Sequence, residues 1–178
     1  MAEPIQENLS ATIGKPAPNF TLVDLAGIPQ TLSDYQGQIV VINFWSAECP
    51  HAARCDRQLS SLLPRWGETV TILSIACNAN ESREMLSRVA TDRHLPIVLL
   101  DSERSITDMY GATTTPHFFV IDQRGILRYQ GSFDDVSFRK PTPTQVYLVQ
   151  AVEALLHGVQ PEPSRTSPYG CTIVRYSG

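Results

Sequence analysis

No stretch of this sequence is apolar for long enough to cross a membrane. A span needs about 18 or more consecutive apolar residues, and the longest run, Ile39 to Trp45, is short and interrupted by Asn43. Charge of one sign is lacking too: 14 Lys plus Arg stand against 18 Asp plus Glu, for a formal net charge of -4. A nucleic-acid partner served by a dominant basic surface is therefore not indicated. Cysteine is scarce, with Cys49, Cys55, Cys77 and Cys171 in 178 residues, which is too sparse for a disulfide scaffold. The start, MAEPIQENLSATIG, carries Glu3 and Glu7 where a secretory signal would have a basic end and an apolar run, so the expected location is cytoplasmic. In that reducing compartment four free thiols are the default. Internal repeats and low-complexity blocks are absent, and the length corresponds to roughly one domain at about 150 residues each.

What is present alternates. Residues 1–15 are polar and irregular, an N-terminal arm, followed by short apolar segments around Phe20 to Val23 and Thr31 to Tyr35. Ile39 to Phe44 is a continuous run rich in β-branched residues, which suits a strand buried on both faces in a parallel sheet. Helical spacing follows from Pro50 toward Trp66, disturbed by Pro64. Val70 to Ala76 predicts a second strand, Ser82 to Arg93 a helix, Ile97 to Leu100 a third strand, and Ile106 to Tyr110 a brief helix. Phe118 to Ile121 and Ile126 to Tyr129 flank Asp122-Gln123-Arg124-Gly125 as a hairpin. Thr142-Pro143-Thr144-Gln145 carries a capping pattern that predicts a last helix from there to about Leu156. The implied architecture is α/β, a central sheet flanked by helices over residues 16–158, with an extended, proline-rich tail at 159–178 that carries Cys171.

The segment Phe44-Trp45-Ser46-Ala47-Glu48-Cys49-Pro50-His51 puts a thiol where a buried strand ends and a helix begins. That edge of an open α/β sheet is where chemistry collects. A sulfur at a helix N-terminus faces unpaired N–H groups and the positive end of the helix dipole, both of which favour thiolate. A protonated His51 nearby would act in the same direction, and Pro50 costs nothing at the first helical position. A cysteine elsewhere in such a sequence would read as one more small buried hydrophobe; position singles this one out.

Here the sequence resembles the thioredoxin-like redoxins, the TlpA and AhpC/TSA branch with its peroxiredoxin-like members. Gly37-Gln38 with Ile39 to Trp45 resembles that family's active-site strand. Tyr110-Gly111-Ala112-Thr113-Thr114-Thr115-Pro116, followed by Phe118 to Asp122 and Gly125, resembles its cis-proline loop and hairpin. The resemblance implies a thioredoxin-like fold and a cis Thr115-Pro116 bond lying against Cys49, the Thr115 backbone holding an incoming disulfide or peptide. Trp45, Ser46, Pro50, His51, Thr115 and Pro116 are the implied supporting residues.

The sequence departs from the family's usual Cys-Pro-x-Cys. Ala52 stands at the second thiol's place, and the next cysteine, Cys55, is six residues beyond Cys49. Six helical residues rise about 9 Å and turn the side chain onto another face, whereas a disulfide needs Cα atoms about 4.4–6.8 Å apart. Cys55 could pair only if the first helical turns unwound. Cys171, in Gly170-Cys171-Thr172-Ile173, resembles a Gly-Cys-x-Ile ending found in peroxiredoxin-like relatives, and a mobile tail reaches a distant site at an entropy cost that grows slowly with loop length. Cys77 ends the second strand, on the same sheet edge as Cys49. A peroxiredoxin would have Thr or Ser at Ser46, as here, but Pro where this chain has Ile42.

The expected activity is that of a thiol-disulfide oxidoreductase or peroxiredoxin-like reductase. The Cys49 thiolate attacks a disulfide-containing protein or a peroxide, giving a mixed disulfide or a sulfenic acid. Resolution falls to Cys171, Cys55, Cys77, glutathione or another protein such as a thioredoxin, and no cofactor or metal is required. Two other classes stay open: a soft-metal handler using Cys49, His51 and Cys55 or His117, and a client-binding module that does not turn over.

Overall fold

The computed structural model describes residues 10–176. Two strands open the chain, β1 (Thr21–Asp24) and β2 (Pro29–Thr31), paired antiparallel. Strand β3 (Ile39–Trp45) follows and is buried at every position. It needs apolar side chains on both faces because it lies inside the sheet with helices on either side. The remaining elements are α1 (Pro50–Trp66), β4 (Val70–Ala76), α2 (Arg83–Asp92), β5 (Val98–Leu100), α3 (Ser105–Tyr110), β6 (Thr114–Thr115), β7 (His117–Ile121), β8 (Leu127–Gly131), α4 (Tyr147–Leu156) and β9 (Cys171–Thr172).

Seven strands make one sheet in the order β2-β1-β5-β4-β3-β7-β8. β3, β4 and β5 run parallel, while β7 is antiparallel to β3 and β8 antiparallel to β7. Alternation along β3 divides the core. Val40, Ile42 and Phe44 join Leu73, Ile75, Phe119 and α3's Tyr110, and Ile39 and Val41 join Ile72, Phe118, α1's Leu59 and α4's Leu148 and Val152. A third cluster of Trp45, Ala52, Ala76, Leu86, Ala90 and Val98 lies against α2 near the strand ends. This is the mixed, helix-flanked sheet that the sequence predicts.

Pro64 lies inside α1 near its end, and the helix runs through it to Trp66. The start of the last helix differs from expectation. The last helix begins at Tyr147, with no side-chain cap. Asp135 competes for the predicted capping segment: its carboxylate accepts from the Thr144 and Gln145 backbone N–H groups and from the Thr144 hydroxyl, holding residues 142–145 as a loop. Of the N-terminal arm, residues 1–9 lie outside the described residues. Ala11 and Gly14 donate backbone hydrogen bonds to Met109 and Leu127, so this part of the arm packs on the domain.

Among the described residues, the tail is docked at points from Ser164 to Val174. Gln130 of β8 bonds Ser164 and Thr166, β9 pairs antiparallel with β6, and Val174 exchanges bonds with the residues after β4.

Candidate active site

Strand β3 delivers the site. Past Trp45 the chain turns, and Cys49 takes the N-cap position of α1 in extended conformation, with Pro50 at the first helical residue. No side-chain hydrogen bond caps that end of the helix, so the cysteine stands at the end where the first N–H groups and the positive end of the helix dipole lie. The Ser46 hydroxyl accepts the Cys49 N–H at 3.2 Å and donates to the Glu81 carboxylate at 2.5 Å. Glu81 also accepts the Glu48 N–H at 3.0 Å. One carboxylate on the loop after β4 thus fixes the turn that carries the cysteine.

The Thr115-Pro116 bond is cis, and the Thr115 carbonyl accepts from the Cys49 thiol at 3.0 Å. Opposite Thr115 in the β6–β9 ladder stands Cys171, whose sulfur is 2.6 Å from that of Cys49. A disulfide bond is about 2.05 Å, so the two sulfurs need little side-chain motion to bond once an oxidant has taken two electrons and two protons from them. Burial and the neighbouring Cys49 sulfur push the Cys171 thiol up to about 12, so it keeps its proton while Cys49 is unmodified.

The other thiols are placed differently. Cys55 is buried among Leu59, Phe118 and Tyr129 on the side of the sheet covered by α1 and α4, and burial pushes it well above the usual thiol range. Cys77 lies at the sheet edge, as its position after β4 implies, but it is buried in the opposite core layer and pushed up to about 12, again by burial. Unlike Cys171, neither contacts the Cys49 sulfur by hydrogen bond.

Trp45 is fully buried, and its indole N–H donates to Asp56 of α1 at 2.9 Å. Arg93, just past α2, pairs with the same carboxylate at 2.9 Å and donates to the Ala47 carbonyl at 2.7 Å. Helices α1 and α2 are thereby pinned to the active-site turn. His51 points to the tail, its ring meeting Tyr169 edge-on at 4.8 Å between centroids. His117 is buried on β7 and accepts the Thr113 N–H; burial lowers it to about 4. Among the described residues no group of three or more His, Cys, Asp or Glu side chains is arranged to hold a metal ion.

Sequence reasoning missed Glu81, Asp56 and Arg93. Their partners are 35, 11 and 46 positions away in sequence, and no local pattern announces such contacts.

A strand-turn-helix cysteine facing a cis-proline loop on a mixed sheet defines a thioredoxin-like redoxin, a class of thiol-dependent oxidoreductases. The chain belongs to the AhpC/TSA family, whose profile matches residues 13–130. It is 30% identical over 124 residues to the thiol-disulfide oxidoreductase ResA of Geobacillus thermodenitrificans, covering 68% of this chain and 70% of that one. A hypothetical protein of Sinorhizobium meliloti 1021 superposes with a TM-score of 0.83 at 27% identity, over 95% of this chain and 97% of the other. The thioredoxin domain of a thiol-disulfide oxidoreductase from Bacteroides vulgatus shares the fold, with a TM-score of 0.61 at 20% identity over 74% of this chain and 94% of that one.

Proposed function

We propose that this protein is a two-thiol disulfide oxidoreductase in which Cys49 attacks and Cys171 resolves. The observation that carries the reading is the 2.6 Å approach of the two sulfurs across paired strands.

The Cys49 thiolate attacks one sulfur of a substrate disulfide. A Cys49–substrate bond forms, the substrate S–S bond breaks, and the leaving sulfur departs as thiolate and takes up a proton. That bond leaves Cys171 beside a Cys49 sulfur that is now half of a mixed disulfide and open to attack. The Cys171 thiol then loses its proton and attacks the Cys49 sulfur, releasing the second substrate thiol and leaving a Cys49–Cys171 disulfide. Two electrons have passed to the substrate, and an external dithiol such as a thioredoxin, or two molecules of glutathione, returns them. Resolution thus follows the first attack by proximity.

Disulfide is favoured over peroxide as the oxidant because the Ser46 hydroxyl is committed to Glu81 and the Cys49 N–H. The test is trapping. Full-length Cys171→Ser, mixed with a disulfide-bonded peptide, should accumulate a Cys49–peptide adduct by intact mass, while wild type releases the peptide and loses two hydrogens. Wild-type turnover by Cys171→Ser would refute the assignment of the resolving thiol.

A further inference from the structure

The segment that brings Cys171 to Cys49 also fills the groove through which a substrate must come. Cys49 is only 3% exposed, and β9 and the cis-proline loop lie across its sulfur. The strap has three anchors beyond the cysteine. Gly170 lies so close to the loop that a Cβ there would sit 2.2 Å from the Thr115 carbonyl oxygen and 3.0 Å from the Pro116 ring. Ile173 is buried in the core cluster that contains Tyr110, Ala112 and Cys77. Val174 donates to the Asn78 side chain at 2.8 Å and accepts from the Ala79 N–H at 2.8 Å.

We propose that residues 170–174 are a resident peptide in the docking groove, which an extended, cysteine-bearing partner peptide of the same pattern must displace. This rests on the reading of Cys49 as the attacking thiol. The pattern follows from the anchors. The residue before the partner's half-cystine must be glycine, because the Thr115 carbonyl leaves no room for a side chain. The residue two beyond it should be branched and apolar, to enter the site that Ile173 fills. Main-chain bonds to Thr114, Thr115, Asn78 and Ala79 supply affinity that does not depend on sequence, as in other strand additions to an exposed edge. The tail is tethered and so has a high effective concentration. Free partners therefore bind the closed chain weakly and bind well only once the strap is out.

The test uses the full reduced chain and a fluorescent peptide of its own residues 167–175 carrying Cys171→Ser, so that binding is non-covalent. Anisotropy should show Gly170→Val and Ile173→Asp proteins, each of which loses one anchor of the strap, binding this peptide at least tenfold more tightly than wild type. The same peptide with Gly170→Val, or with Ile173→Asp, should bind all three proteins at least tenfold more weakly. Two variants and the peptide series on wild type guard against one misfolded protein. Equal affinity of the three proteins, no binding by any of them, or indifference to the peptide's glycine would overturn the proposal. Failure here leaves a Cys49–Cys171 disulfide detectable by mass, whereas failure of the exchange reading leaves the anisotropy result unaffected.

Discussion

At Cys171 the chemistry depends on what its neighbour is. The thiol is held up to about 12 by burial and by Cys49, so removing the neighbouring sulfur removes one of those causes. Cys49→Ser should therefore alkylate at Cys171 several-fold faster than wild type at pH 8, followed by timed quenching and mass spectrometry; an unchanged or slower rate would mean that burial alone sets the shift. Arg93 behaves as a residue whose loss is costly, because Asp56 is fully buried with one carboxylate oxygen already unpartnered among the described residues. Truncating one member of a buried pair costs about 3–5 kcal/mol. Arg93→Met should lower unfolding stability in urea by about 3 kcal/mol, while Arg57→Met, on the exposed side of α1, should change it by less than about 0.5 kcal/mol. Cys49 itself was legible in the sequence because strand end, proline and helix start are consecutive. Asp56 and Arg93 were not, because a charge reads as solvated surface until the fold closes over it.

Among the elements, β3, β4, α1, α2 and the hairpin of β7 and β8 lie where the apolar periodicity places them, since each buries its pattern locally. The last helix starts later than its capping pattern suggests because Asp135, on the preceding loop, outbids the helix for the same N–H groups. Strand β7 carries a pH dependence of its own. His117 is lowered to about 4 by burial, against 6.5 in the unfolded chain. The unfolded state therefore binds the extra proton first as pH falls. Stability from this residue is complete above about pH 6.5, declines as pH drops toward 4, and is level below that, a loss of up to about 3 kcal/mol. In urea titrations, His117→Phe should show a flatter stability profile than wild type between pH 4 and 6.5. Parallel profiles would place the acid sensitivity elsewhere.

The whole molecule is a redoxin domain closed by its own C-terminal strand. Sequence marked both ends of that arrangement, the cysteine after β3 and the Gly-Cys-x-Ile segment, but gave the tail as extended and mobile. Its course depends on pairings of Thr166 with Gln130, Cys171 with Thr115 and Val174 with Asn78, each joining residues far apart in the chain. The short β6 and β9 have no hydrophobic period to read, and only the closed fold brings them together. Ala52 stands where the helix motif has its second thiol, and in the proposed function Cys171, 122 residues from Cys49, takes that place.

That replacement is the central claim, and differential thiol labelling with intact-mass and peptide mapping tests it most directly. Reduced protein treated with one equivalent of hydrogen peroxide or a small disulfide should lose two hydrogens, map to a single Cys49–Cys171 bond and leave Cys55 and Cys77 free, while Cys49→Ser under the same treatment forms no intramolecular bond. A disulfide mapped to Cys55 or Cys77, or an oxidised Cys49 that stays unresolved with Cys171 free beside it, would contradict the account.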